Sequence, residues 1–204
     1  MAGTAGREPE TQMNSDPREF KAALRCRIRN DLNALSPVER MTASAQACAR
    51  LRLERPWQEA RCLLLFAALS DELDIWPLIH DALAGDKVVA LPQFDAEHGA
   101  YSPRQVMDIR HDLQRGQFGI DEPKKDCPVI PVNRLDFVLV PGVAFDLNGR
   151  RVGRGKGFYD RLLASVRGVK CGVAFDQQVV SEVPVEPHDV HLDYLLTPSR
   201  WIKF

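Results

Sequence analysis

The sequence predicts an α/β fold, a three-layer α/β/α arrangement with a largely parallel, Rossmann-like central sheet buried between helices. Three observations predict it. Residues 62–69 (CLLLFAAL) are an unbroken apolar run, short enough to be a strand covered on both faces. A second run at 88–91 follows after a connection of roughly 20 residues that contains a helical pattern, the layout of a parallel βαβ unit. A third run at 136–145 leads through turns into a glycine-rich basic stretch and then another apolar-periodic helix.

Composition bounds the function classes. The chain has 204 residues, 45% hydrophobic and 27% charged, which suits one soluble domain over residues 17–204 with a disordered tail at 1–16. That tail lacks the apolar core of a secretory signal. A formal net charge of −1 gives no global field to recruit nucleic acid or an anionic membrane. No apolar run approaches the roughly 20 residues of a membrane span. Five scattered cysteines without a CxxC pair argue against a disulfide framework or a zinc cluster, and for a reducing, cytoplasmic setting.

In chain order, Phe20, Leu24, Ile28, Leu32 and Leu35 recur at helical spacing and predict a helix over 17–35. Its other face carries Lys21, Arg25 and Arg29, either a solvated basic face or a stripe that reaches phosphates. Ser36, Pro37 and Glu39 are a capping signal for a second helix to about residue 53, stopped by Pro56. Asp74 caps the helix through Leu83, with Gly85 as its stop. Pro92 closes the 88–91 strand. A weak pattern predicts a helix over 102–113, and the glycines and prolines of 116–131 predict a long loop. After the third strand and the glycine stretch, a helix ends at Gly168, and two last strands are expected at 170–175 and 193–197.

The stretch VPGVAFDLNGRRVGRGKGFYD, residues 140–160, carries the chemistry. Gly153, Gly155 and Gly157 alternate with Arg154 and Lys156, and Arg150, Arg151 and Arg161 add charge. Such glycines allow backbone conformations closed to other residues and let a phosphate approach main-chain N–H groups. A Walker A loop would need Ser or Thr where Gly157 stands, and a dinucleotide fingerprint would need Gly where Phe158 stands. What remains is a polyphosphate loop of neither kind, or a solvent-exposed turn with incidental arginines. Asp160, one turn into the helix, makes sense beside phosphates if a divalent metal bridges them. Glu72 lies where open α/β sheets bind ligands, or is simply a turn carboxylate. His188, Asp189, His191 and Asp193 form a polar loop without the cysteine or third histidine that zinc would want.

Read together, these residues resemble the 5-formyltetrahydrofolate cyclo-ligases (methenyltetrahydrofolate synthetases). The most specific match is LVPGVAFDLNGRRVGRGKGFYDRLL; KAALR at 21–25, SPVERMTAS, DELD, VALP, GIDEP at 119–123 and VPVEPHDV support it in order. The resemblance implies ATP- and magnesium-dependent closure of 5-formyltetrahydrofolate to 5,10-methenyltetrahydrofolate through a phosphorylated formyl intermediate, with release of ADP and phosphate. By position it implies an ATP site of Lys21, Arg25, Val152, Gly153, Arg154, Gly155, Lys156, Gly157 and Phe158. Arg154, Lys156 and Tyr159 would be catalytic, Glu72 and Tyr159 would contact the folate, and Asp160 and Asp189 would serve Mg2+. The expected partner is a small molecule, free or polyglutamylated, taken by a cytoplasmic monomer that binds neither nucleic acid nor membrane. Phe158 stands where the family often has Tyr, Lys156 where many members have Gly, and Ile75 where Thr is frequent. Two other readings of the residues are a sugar-phosphate isomerase-like enzyme, using the loop for one phosphate, and a non-catalytic nucleotide- or RNA-binding module.

Overall fold

The computed structural model describes residues 17–117, 119–186 and 189–204; the expected N-terminal tail lies outside them. Helix α1 (Pro17–Asn33) buries Lys21, Leu24, Ile28 and Leu32, so its apolar seam begins with a lysine. Helix α2 (Pro37–Arg52) starts at the predicted capping box: the Ser36 N–H donates to Glu39 Oε2 at 2.8 Å, and the Glu39 N–H to Ser36 Oγ at 3.3 Å. Pro56 lies in the first turn of a further short helix, α3 (Arg55–Glu59), where its missing N–H costs nothing.

Strand β1 (Cys62–Leu64) is followed by α4 (Trp76–Ala84), β2 (Val88–Asp95) and β3 (Ala100–Val106). A short helix α5 (Ile109–Asp112) leads into the hairpin of β4 (Leu113–Arg115) and β5 (Asp121–Pro123). Then come β6 (Phe137–Val140), β7 (Ala144–Phe145), β8 (Arg151–Val152), α6 (Phe158–Leu163), β9 (Val169–Val173), β10 (Tyr194–Leu196) and β11 (Trp201–Lys203). The main sheet has the order β11-β10-β9-β6-β1-β2-β3, parallel from β10 to β2 and antiparallel at both edges. Strand alternation divides the core. Leu63, Phe137, Leu139 and Cys171 pack toward α1 to α4, and Leu64, Val138, Val140 and Leu195 toward Leu162 and Leu163 of α6.

Several expectations are corrected. Within 62–69 only three residues are ladder-paired strand; Leu65 still donates to the Ala90 carbonyl, and the chain then curls, buried, over the sheet end. Pro92 does not close β2, because it faces Pro103 across an antiparallel pair in which neither needs a ladder N–H. The helix expected over 102–113 is β3 plus α5: seven residues pair one-for-one with β2, and the cross-strand ladder outweighs a weak helical pattern. The long loop contains the β4–β5 hairpin, and the 136–145 run divides into β6 and β7 at Pro141-Gly142. Helix α6 stops before Gly168, whose bare Cα is required elsewhere: a Cβ there would lie 2.1 Å from the Leu135 carbonyl oxygen. Strand β11 was not expected.

The strand order also places a crevice. From β1 the chain crosses to one side for β2 and to the other for β6, so a topological switch point lies at the carboxyl ends of β1 and β6. The segments leaving those ends, 65–72 and 141–143, cannot follow each other and open a gap between them.

Candidate active site

A cavity of about 320 Å³ fills that gap. Phe66, Leu69 and Pro141 line it together with the glycine loop, Tyr101 of β3 and residues of the β4–β5 hairpin. Of the residues named from the sequence, Glu72, Gly153, Arg154 and the run from Lys156 to Asp160 line it. Val152 does not: its side chain is buried, and its carbonyl accepts the Val143 N–H at 2.7 Å. Its part is to fix the loop's first strand.

The loop conformation needs glycine at two positions. Gly155 (φ +98°) and Gly157 (φ +66°) are left-handed, and Gly157 turns the chain into α6. With six residues, α6 adds little field, so any attraction for anions rests on side-chain cations. Those cations converge from two ends of the chain. Arg25 Nε donates to the Gly153 carbonyl at 2.8 Å, and its guanidinium faces Gly155. The basic face of α1 is therefore not simply solvated. Lys21, buried one turn earlier, bonds Glu186 and Asp189 at 2.8 Å each. Burial works to lower its ammonium, and the hydrogen bonds and charges of Asp189 and Glu186 outweigh it, so its pKa stands above the ordinary lysine value.

Asp160 is paired with Arg151 at 2.7 Å, both side chains being largely buried. Arg151 feels the charges of Asp160 and Asp189, which ties the two expected metal carboxylates to one guanidinium. Among the described residues, neither belongs to a three-ligand group; the one such group, Asp95, Glu97 and His98, lies at the exposed β2–β3 turn. Hard carboxylate oxygens still suit magnesium. His188 lies outside the described residues, and Asp193 is taken up structurally, accepting the Lys170 N–H at 2.8 Å.

Arg154 joins the two expected halves of the site. It reaches Asp71 at 2.6 Å and Glu72 at 3.0 Å, so a side chain assigned to phosphate holds one assigned to folate. Burial pushes the Glu72 carboxyl above its usual range, against the Leu69 N–H and Arg154. Lys156 makes no hydrogen bond or ion pair among the described residues. Phe158 packs on Phe94 and Tyr101 at centroid distances of 4.8 and 5.6 Å, and Tyr159 on Tyr101 at 5.5 Å, so the cavity has one aromatic wall. Removal from water pushes the Tyr159 phenol well above the usual tyrosine range. The site residues that sequence reasoning left without a role are Tyr101, Asp71, Asp121 and Glu122, and Arg151, read as a loop cation, is instead the partner of Asp160. Asp71 and Glu122 lie inside the quoted DELD and GIDEP stretches, the only signal that pointed to them.

Comparison with known proteins decides what such a cavity belongs to. The profile of the 5-formyltetrahydrofolate cyclo-ligase family matches residues 17–198. The chain belongs to that family. The 5-formyltetrahydrofolate cyclo-ligase of Escherichia coli K12 is 34% identical over 181 residues, covering 85% of this chain and 97% of the relative. The mitochondrial cyclo-ligase of Arabidopsis thaliana is 28% identical over 210 residues, covering 88% and 74%. Among solved structures, the 5,10-methenyltetrahydrofolate synthetase of Aquifex aeolicus superposes with a TM-score of 0.81 at 33% identity, over 90% of this chain and 92% of its own. Cyclo-ligase membership makes the chain a ligase and sets aside the isomerase reading. No helix among the described residues is long and apolar enough to cross a membrane.

Proposed function

We propose that this chain closes 5-formyltetrahydrofolate to 5,10-methenyltetrahydrofolate while converting ATP to ADP and phosphate. The observation that carries the reading is the cavity at the switch point, lined by both an aromatic wall and a cationic glycine loop. The formyl oxygen attacks the γ-phosphorus and ADP leaves. N10 then attacks the activated formyl carbon and loses its proton, and phosphate departs with the former formyl oxygen. The nucleophiles are the substrate's own, so the protein's work is positioning and charge stabilisation.

In this reading the main chain from Gly153 to Gly157 cradles the triphosphate. Lys156 and Arg154 meet the transferred phosphoryl group, and Arg25 and Lys21 approach from α1. Glu72 and Tyr159 hold the folate, and Phe158 supplies apolar wall without a hydroxyl. Asp160 and Asp189 would hold Mg2+, which supplies charge neutralisation along the triphosphate. In our reading the working unit is a monomer acting on a small-molecule folate. Five free thiols support a reducing compartment, the cytoplasm in our reading.

The test is incubation with 5-formyltetrahydrofolate, ATP and magnesium, following the near-ultraviolet band of the methenyl product and ADP release. Both should appear, vanish with EDTA and return with added magnesium. Folded protein that binds ATP without forming the band would favour the non-catalytic nucleotide-binding reading instead.

A further inference from the structure

Glu72, Asp121, Glu122 and Asp160 all line the cavity, and the two glutamates differ in how they are satisfied. Glu72 has a cation and a backbone donor. Among the described residues Glu122, on β5, has neither a cation nor a full set of donors. One oxygen, Oε2, accepts the Phe94 N–H at 3.1 Å, while Oε1 is buried with no hydrogen-bond partner among the described residues. Glu122 is 5% exposed, and burial pushes its carboxyl above the usual range. A buried carboxyl oxygen without a donor is unfavourable, and such groups in native structures call for a reason.

The surroundings indicate what donor is missing. The carboxyl group packs on the bare Cα of Gly116, where a Cβ would lie 2.3 Å from its Cδ, so the backbone is shaped around it. The turn behind it is closed by the Gly116 N–H donating to the Ile120 carbonyl at 2.8 Å. Burial raises the Tyr101 phenol pKa and the nearby Glu122 charge adds to it, and Tyr101 belongs to the aromatic wall with Phe158 and Tyr159. A flat ring on that wall, presenting an N–H edge to Glu122, would satisfy both features. The terminal carboxyl torsion is soft, so Oε1 can turn from Gly116 toward such an edge at little cost.

We infer that Glu122 is the specificity residue for the pterin end of the substrate, accepting hydrogen bonds from the ring's N3–H and 2-amino group. This rests on the proposed function, which supplies a pterin. A pyrimidinone edge carries two adjacent donors, and a carboxylate is the side chain with two acceptors at matching spacing. With that edge held at Glu122, the N5 edge of the ring is directed away from the hairpin. Lys156 and Arg154 of the glycine loop line the same cavity.

The test pairs a protein change with a ligand change. Calorimetry on full-length wild type and Glu122→Gln measures affinity for 5-formyltetrahydrofolate, for its 2-desamino-2-methyl analogue and for a non-hydrolysable ATP analogue. Loss of the charge-assisted pair should weaken 5-formyltetrahydrofolate by roughly 10- to 100-fold in Glu122→Gln. The desamino analogue should bind wild type and variant within about threefold of each other, and the ATP analogue should be unaffected. An unchanged folate affinity, or equal losses for both folates, overturns the assignment. Should the variant not fold, wild type decides alone: equal affinity for the two folates overturns it, and a loss of at least about tenfold for the analogue supports it. Wild type that neither binds nor cyclises 5-formyltetrahydrofolate overturns the proposed function and this inference with it. Cyclisation by wild type with an indifferent Glu122→Gln overturns this inference alone.

Discussion

Arg151→Met should be among the most damaging single changes in the site, for a reason separable from catalysis. Arg151 Nη2 and Asp160 Oδ1 lie 2.7 Å apart, with side chains 3% and 15% exposed. At that distance the attraction is roughly 6 kcal/mol at an effective dielectric of about 20, and desolvation of both groups offsets much of it. Removing one partner leaves the other charge buried and uncompensated, which costs about 3–5 kcal/mol. Here the loss should be about 3 kcal/mol, because Arg151 Nε has no partner among the described residues and methionine fills most of the volume. For a chain of this length that is a fall of roughly 6–12 °C in Tm. Urea unfolding without nucleotide at neutral pH measures it directly. The double variant Arg151→Met/Asp160→Leu should return to within about 1 kcal/mol of wild type, since it leaves no orphan charge. A single variant that loses less than about 1 kcal/mol, or a double variant worse than the single, would refute the view that this pair governs local stability.

Three further outcomes are expected. Lys156→Ala should weaken an ATP analogue by about 1–2 kcal/mol, roughly 5- to 30-fold, with an unchanged urea midpoint; equal affinity in a binding titration removes its phosphate role. Gly157→Ala should cost about 1–2 kcal/mol in denaturant because φ is +66°, and should weaken the ATP analogue too; wild-type stability would contradict the left-handed turn. The raised pKa of Lys21 stabilises the fold fully below the ordinary lysine value, and that contribution is lost as pH rises through the folded-state value. The stability gap between wild type and Lys21→Met should therefore be constant near neutrality and narrow only in strongly alkaline solution. A gap that widens there would reverse the sign of the argument.

The parallel core was legible because each strand is an apolar run long enough to need cover on both faces, as Phe137-Val138-Leu139-Val140 shows. The capping box of α2 was legible because Ser36 and Glu39 act within one turn. What stayed hidden depends on distant partners. Strand β3 contains Pro103 and no clear alternation, and it becomes a strand only because Pro92 faces it on β2. The same holds for the site. The glycine loop announces itself in a few residues, whereas the partners of Arg154 lie 82 and 83 positions away, and those of Lys21 lie 165 and 168 away. Glu122 carried no chemical signal of its own, since only the fold shows that its oxygen is buried and unanswered.

Three of the site's cations are paired with carboxylates, whereas Lys156 and Glu122 have no ionic partner among the described residues. Lys21 faces Asp189 and Glu186, Arg151 faces Asp160, and Arg154 faces Asp71 and Glu72. Cations left bare around an apolar cavity would repel one another and destabilise the loop; paired, they are held in place at little electrostatic cost. In the proposed reaction, phosphate oxygens would offer Lys21, Arg151 and Arg154 new partners, and Asp160 and Asp189 would be the carboxylates free to hold Mg2+. Binding then exchanges ionic partners instead of creating new buried charge. Arg154 would carry that exchange to the second substrate of the proposed reaction: a guanidinium drawn to phosphate would release Glu72, the buried carboxylate proposed for the folate. Nucleotide affinity should accordingly be measured with and without folate, because the two sites share one arginine. Equal values in both conditions would mean that Arg154 stays on Glu72 throughout.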